Sequence, residues 1–335
     1  FLLPLGATAL GVRLILPWLR AREVLDHPNA RSSHTQPTPR GGGIAIFLAF
    51  AIAVILPNYR DNPMKGVLIG AFICLVVGAL DDFKGGISAR WKLGALTLAT
   101  LLMSAFGVRL TLVQWYPADL ALTWLWIVGI TSAFNGIDNM DGLASGVAAI
   151  ASAMFLIIAL QTHFAAGTET SLAWFGLLAA GLVGANLGFL VHNFNPARIF
   201  MGDAGSFFLG FTLAALGVMG EWSEQPIISC TVPVLMLAVP IFDFAYILIS
   251  RIINGETRTL KDVIEHCAPD HLSHRLVGLG FSHVQSVLLI YTMSIALGIT
   301  GILLHNSSTI FDSALGLLQG ATTLLLVAIL MSRAH

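Results

Sequence analysis

Apolar stretches alternate with short polar loops along almost the whole chain. A bilayer core takes about 20 mostly apolar residues per helix. Eleven stretches approach that length, at roughly 1–17, 42–57, 65–81, 92–107, 118–134, 145–163, 172–191, 206–220, 227–249, 285–304 and 311–331. The pattern predicts an all-α polytopic membrane protein of about 11 transmembrane helices, with the fourth and eighth spans short. Between the fourth and fifth, Val108 to Tyr116 alternates apolar and polar residues before Pro117. That segment fits either a small extracytoplasmic hairpin or an irregular loop. With no internal repeat and no linker, residues 1–335 read as a single integral membrane domain.

Composition strengthens the membrane reading. Of the 335 residues 56% are hydrophobic and only 10% charged, against about 25% charged in a soluble domain. A mean hydropathy of +0.83 cannot be hidden in a soluble core. The net charge of −1 leaves no basic surplus for a nucleic-acid partner. Cys74, Cys230 and Cys267 have no motif spacing, so neither a disulfide framework nor a thiolate metal site is indicated. The chain opens at Phe1 without an initiator Met, which leaves an earlier start open. No cleavable signal peptide is expected, because the first apolar stretch runs into Arg13, Arg20 and Arg22.

Basic residues favour cytoplasmic loops. Starting the N-terminus outside puts thirteen Lys and Arg on the inner side and three (Arg60, Lys65 and Arg109) on the outer, with Arg13 inside the first span. The N-terminus is therefore expected outside. On this topology Asp81, Asp82, Asp138, Asp141 and Asp203 fall at the inner ends of three different spans. Five carboxylates on one face repel one another unless a cation or hydrogen-bond donors compensate them, and oxygen-only ligands suit Mg²⁺ better than Zn²⁺. Any one of these acids alone reads equally as a helix cap or an interface residue.

The flanking residues favour a site for anions. Arg31 to Gly43 combines cations, hydroxyls and glycines, and offers charge and backbone N–H groups close to a helix start. Asn135, Asp138 and Asp141 recur every three residues, a polar ladder able to hold a base, a ribose or a metal-bound phosphate. Asp203 lies between Gly202 and Gly205, where a ligand can approach the backbone, and Phe200 can offer a ring to a planar base. In the longest inner loop His271, His274 and Arg275 are spaced for phosphate contact, with no thiolate to suggest zinc. Asp243 lies nominally inside the ninth span and reads as a buried acid hydrogen-bonded to another helix, outside the site.

In order, "RSSHTQPTPRGGG", "GALDDFKG", "FNGIDNMDGL", "NFNPARIFMGDAGS" and "DHLSHRL" resemble the motifs of the polyprenyl-phosphate N-acetylhexosamine-1-phosphate transferase superfamily, glycosyltransferase family 4 type. The resemblance spans residues 31–276. It implies transfer of a HexNAc-1-phosphate from a UDP-sugar to undecaprenyl or another polyprenyl phosphate in the inner membrane, releasing UMP, with Mg²⁺ or Mn²⁺ as cofactor. It further implies that Asp81 and Asp82 are the paired aspartates and that Asn135, Asp138 and Asp141 serve the nucleotide. Phe200 would stack on uracil and Asp203 would be the principal metal ligand; beyond the resemblance, Asp82 is expected to support the metal and Arg40 to supply a further cation. His271, His274 and Arg275 would handle the diphosphate. Ser132 stands where many members have Asn, Asn139 where many have Gly, and Ser273 where many have His. The missing three-histidine run points to the N-acetylglucosamine branch, which initiates O-antigen, capsule or teichoic-acid-like glycans, and not to the peptidoglycan branch.

Adjacent aspartates point about 100° apart on a helix, so Asp81 and Asp82 are expected to have different roles. Asp81 is assigned to activating the lipid phosphate and Asp82 to supporting the metal. Direct attack is expected over an aspartyl-phosphate intermediate. A homodimer is one assembly open to the chain. The rival readings are a membrane transporter, which would place its charged groups near the bilayer midplane, and an inactive relative acting as a scaffold.

Overall fold

The computed structural model describes residues 1–28, 36–57, 61–166, 173–220, 222, 226–253, 271–307 and 309–332. All eleven apolar stretches fall on helices. In chain order these are α1 (Leu2–Ala21), α2 (Gly43–Ile55), α3 (Asn62–Lys84), α4 (Ala89–Ala105), α5 (Tyr116–Ile137), α6 (Leu143–Ala166) and α7 (Ala173–Asn193). They continue as α8 (Gly202–Met219), α9 (Pro226–Met236), α10 (Ala238–Ile253), the short α11 (Leu272–Gly278), α12 (His283–His305) and α13 (Ile310–Ser332). Outside the described residues lie 29–35, with Arg31, and 254–270, with Arg258, Lys261, His266 and Asp270.

Among the described residues, eight helices are long and apolar enough to cross a membrane: α1, α3, α5, α6, α7, α8, α12 and α13. The span expected over 227–249 is instead two helices, α9 and α10, bent by 85°. Pro240 supplies the reason, since it has no N–H to offer the carbonyl of Met236 and the helical ladder is left open at the break. Counting the bent pair gives up to nine spans. The other two expected spans are the 13-residue α2 and the 17-residue α4. At 1.5 Å per residue these extend only about 20 and 26 Å, short of a core of about 30 Å. Val108 to Trp115 is an irregular loop, not a hairpin. Val113 N–H donates to Asp119 Oδ1 at 2.9 Å and Leu110 N–H to Thr123 Oγ1 at 2.9 Å, so backbone groups that a hairpin would pair across strands are satisfied by α5 side chains.

Helix α8 is the centre of the bundle, packed against α3, α5 and α2, with every side chain from Ala204 to Gly217 buried. Without a hydrophobic driving force between helices in lipid, such packing depends on small residues that let backbones approach. Gly43 of α2 lies against the backbone of Gly205, and Gly78 of α3 against the backbone carbonyl of Asp203. At neither is there room for a Cβ. Gly78→Ala is therefore expected to lower the thermal unfolding midpoint in detergent, with overpacking costing about 1–3 kcal/mol. Gly94→Ala on α4, where a Cβ meets nothing within 4 Å, should leave the midpoint unchanged. Equal midpoints for the two variants would contradict this account of the α3/α8 contact.

A two-stranded ribbon precedes α2, with β1 (Leu25–Asp26) antiparallel to β2 (Thr38–Pro39). The chain after β2 then pairs with the loop before α8. Phe200 N–H donates to the Pro39 carbonyl at 2.8 Å, Gly42 N–H to the Phe200 carbonyl at 3.0 Å and Gly43 N–H to the Met201 carbonyl at 3.0 Å. Two motifs separated by most of the bundle in sequence are thereby sutured at one end of it.

Candidate active site

The acids of α3 sit in its last turn, before Gly85 turns the chain at φ +73° and ends the helix. Both are buried but held differently. Asp82 accepts from the backbone N–H of Asp203 at 3.0 Å on Oδ1 and of Ala204 at 3.1 Å on Oδ2. Its carboxylate thus caps the first turn of α8, where free N–H groups and the positive end of the helix dipole favour an anion. Gly202 has φ +70° and lies directly against that carboxylate, a position that both the backbone angle and the space reserve for glycine.

Asp81 points elsewhere, as expected for neighbours on a helix. Its Oδ1 accepts from Ile87 N–H at 2.6 Å and lies 3.1 Å from Lys92 Nζ. The same ammonium donates to Asp203 Oδ2, so Lys92 of α4 bridges carboxylates from α3 and α8. Asp203 Oδ1 accepts from Asn135 Nδ2 at 3.0 Å, and that amide nitrogen also reaches Ser206 Oγ at 2.9 Å. Residues from α3, α4, α5 and α8 therefore form one connected polar cluster at one end of the bundle. Arg40 joins its edge, donating from Nη2 to the Asp82 carbonyl at 3.0 Å. Asp138, just past the end of α5, lies close enough to feel the same charges. Burial first, and then the Asp203 and Asp82 carboxylates, push its pKa up to about 8.

Not all the expected site residues enter this cluster. Asp141 is buried and ties two loops together, its Oδ2 accepting from Asn195 Nδ2 at 3.0 Å and from Ala197 N–H at 2.9 Å. Phe200 is half-buried in the suture with Pro39 to Gly43. Arg275 is buried, with Nη1 on the Met331 carbonyl at 3.0 Å and its guanidinium 5.4 Å from the Tyr246 ring. His274 is half-buried on α11. His271 precedes α11 with its ring over Gly136, one residue beyond Asn135. Asp243 is the buried acid bonded across helices that the sequence suggests, and its partners are His271 Nδ1 at 2.6 Å and Leu272 N–H at 2.7 Å. Two of the three departures from the family motifs meet each other: Ser273 Oγ donates to Asn139 Oδ1 at 2.6 Å, and Asn139 Nδ2 to the Gly136 carbonyl at 2.7 Å.

Sequence reasoning placed Lys92 only among the inner-side cations and missed its part in the cluster. Its position ten residues beyond Asp82, at the start of the next helix, was the available signal. Among the described residues no three Asp, Glu, His or Cys side chains converge to hold a metal by themselves. Mg²⁺ takes one or two protein carboxylates and fills its remaining positions with phosphate oxygens and water, and Asp81 and Asp203, joined through Lys92, offer two. The cluster has the required chemistry: hard oxygen donors on Asp81 and Asp203, with a cation already between them.

The sequence model of glycosyl transferase family 4 matches residues 64–221, a stretch that holds Asp81, Asp82, Lys92, Asn135, Asp138, Asp141, Phe200 and Asp203. The "Probable undecaprenyl-phosphate N-acetylglucosaminyl 1-phosphate transferase" of Bacillus subtilis is 36% identical over 85% of this chain and 78% of its own length. The "Decaprenyl-phosphate N-acetylglucosaminephosphotransferase" of Mycobacterium tuberculosis is 32% identical over 79% of this chain and 72% of its own. The "Phospho-N-acetylmuramoyl-pentapeptide-transferase" of Pelobacter propionicus is 32% identical over only 63% of this chain. A multi-pass helical bundle, a carboxylate cluster at its end and relatives matched over most of their length lead to one assignment: the chain belongs to glycosyl transferase family 4.

Proposed function

We propose that this protein transfers N-acetylglucosamine 1-phosphate from UDP-N-acetylglucosamine to a polyprenyl phosphate, with undecaprenyl phosphate as the expected acceptor, and releases UMP. An oxygen of the lipid phosphate attacks the sugar-bearing phosphorus of the donor. The bond from that phosphorus to the bridging oxygen breaks, and the oxygen leaves with UMP. The product is a lipid-linked sugar diphosphate that starts a cell-envelope glycan at the cytoplasmic face of the inner membrane. The observation that carries this reading is the Asp81–Lys92–Asp203–Asn135 cluster joining four helices, together with relatives named for this transfer.

The physical problem is that two anions must meet. Mg²⁺ or Mn²⁺, when bound, would supply Lewis-acid neutralisation of the diphosphate charge. Asp203 and Asp81, which share the Lys92 ammonium, are the residues proposed to hold it, so Asp81 takes the metal in place of the lipid-phosphate activation expected from the sequence. Asp82, expected from the sequence to support the metal, already has both oxygens engaged by α8 N–H groups, and is better suited to holding Asp203 in place. Lys92 keeps the two carboxylates together in the absence of substrate, and Arg40 adds positive charge nearby. A phosphomonoester has a second pKa of about 6, so the lipid phosphate is mostly dianionic near pH 7 and attacks without a base. This favours single displacement.

Purified protein given UDP-N-acetylglucosamine, undecaprenyl phosphate and Mg²⁺ should release UMP, and only when the lipid is present. UMP exchange without the lipid, or ping-pong kinetics, would contradict single displacement. No UMP from any UDP-HexNAc would remove the transferase reading. Solute uptake into liposomes would then favour a transporter.

A further inference from the structure

We propose that Asp243 is a positioning residue for the transfer, holding His271 with its proton on Nδ1 so that Nε2 is the ring nitrogen presented to the donor diphosphate. This rests on the transferase reading above. Asp243 lies on α10, five residues beyond the start of that helix and just past the sharp bend from α9. It is only 2% exposed, behind apolar side chains including Ile137, Leu143, Val239 and Ile290. A carboxylate in such a place is costly unless its oxygens are satisfied. Here each has a partner: Oδ2 faces His271 Nδ1 at 2.6 Å and Oδ1 accepts from Leu272 N–H at 2.7 Å.

The choice of Asp over Asn is informative. An Asn side chain would serve the Leu272 N–H equally well and bury no charge. Its second terminal atom is an N–H donor, however, and would force the proton off Nδ1. Only the acid accepts at both positions and thereby selects the tautomer, as a carboxylate hydrogen-bonded to the far nitrogen of a functional imidazole does elsewhere. The other side of the ring is fixed as well. Its Cε1 edge lies 3.0 Å from where a Cβ on Gly136 would stand. The Ser273–Asn139–Gly136 hydrogen bonds staple the start of α11 to the same loop. The residue before Gly136 is Asn135, which holds Asp203. His271 is thus registered against the carboxylate cluster from two directions, by α10 and by the end of α5.

The test combines a spectrum with a mutant cycle. In protein labelled with ¹⁵N-histidine, the His271 resonances, assigned by their loss in His271→Ala, should show a protonated Nδ1, and Asp243→Asn should remove that signature. Asp243→Asn keeps side-chain volume and the Leu272 contact, so its unfolding midpoint should match wild type. Its kcat should fall about tenfold or more, whereas the same substitution made in His271→Ala should cause no further fall. A bare Nδ1 in the wild type, wild-type kcat in Asp243→Asn, or equal fold-losses with and without His271 would each overturn the proposal. Wild-type protein with a protonated Nδ1 but no UMP release would sink the transferase reading alone.

Discussion

Asp203→Asn is expected to lower UMP release by about 100- to 1,000-fold, on the scale seen when an electrostatic stabiliser of a transition state is removed. The substitution is close to isosteric. It leaves intact the backbone N–H bonds from residues 203 and 204 to Asp82, so α8 should stay in place and the unfolding midpoint should hold. What disappears is charge at the meeting point of the cluster, where Lys92 and Asn135 both converge on this carboxylate. The dependence of residual turnover on Mg²⁺ should weaken at the same time, because one of the two proposed protein ligands is gone. Steady-state rates across a Mg²⁺ titration measure both effects. Near-wild-type turnover would take Asp203 out of the site.

Lys92→Met should cost about 100-fold in turnover, or roughly 2.7 kcal/mol of barrier. Met keeps most of the stem, and its contact with the Phe207 ring, which Lys92 Nζ faces at 5.4 Å, but removes the ammonium that bridges Asp81 and Asp203. Two partly buried carboxylates left facing each other attract a divalent cation more strongly. The Mg²⁺ concentration at half-maximal rate is therefore expected to fall while kcat falls with it. Unchanged turnover would reduce Lys92 to a structural counter-ion, and a rise in the Mg²⁺ requirement would contradict its placement between the two proposed ligands.

Much of the fold was legible because membrane helices announce themselves locally. Each of the eleven apolar stretches became helical, since a chain in lipid must satisfy its backbone within the segment. The break at Leu237, three residues before Pro240, was not recognised, because an apolar run reads the same whether it continues straight or turns by 85°. The loop from Val108 to Trp115 was ambiguous for a related reason: side chains thirteen and six residues away, Thr123 and Asp119, took up its backbone N–H groups. In the site, Asp81, Asn135 and Asp203 could be singled out as costly polar residues at helix ends. Lys92 could not, because a cation in a region expected on the inner side is ordinary in such a protein.

Local pattern and residue chemistry were enough to establish a helical membrane bundle with its acids gathered toward one end, and enough to suggest that those acids handle phosphate. Which carboxylate does which job depended on contacts between residues far apart in the chain. Asp82 and Asp81 are adjacent and chemically identical, yet one caps α8 and the other meets Lys92. Asp243 and His271 are separated by 28 residues and a sharp bend, yet share a 2.6 Å contact. Periodicity reports the direction a side chain leaves its own helix. The group it meets there is supplied by another helix, and only packing brings the two together.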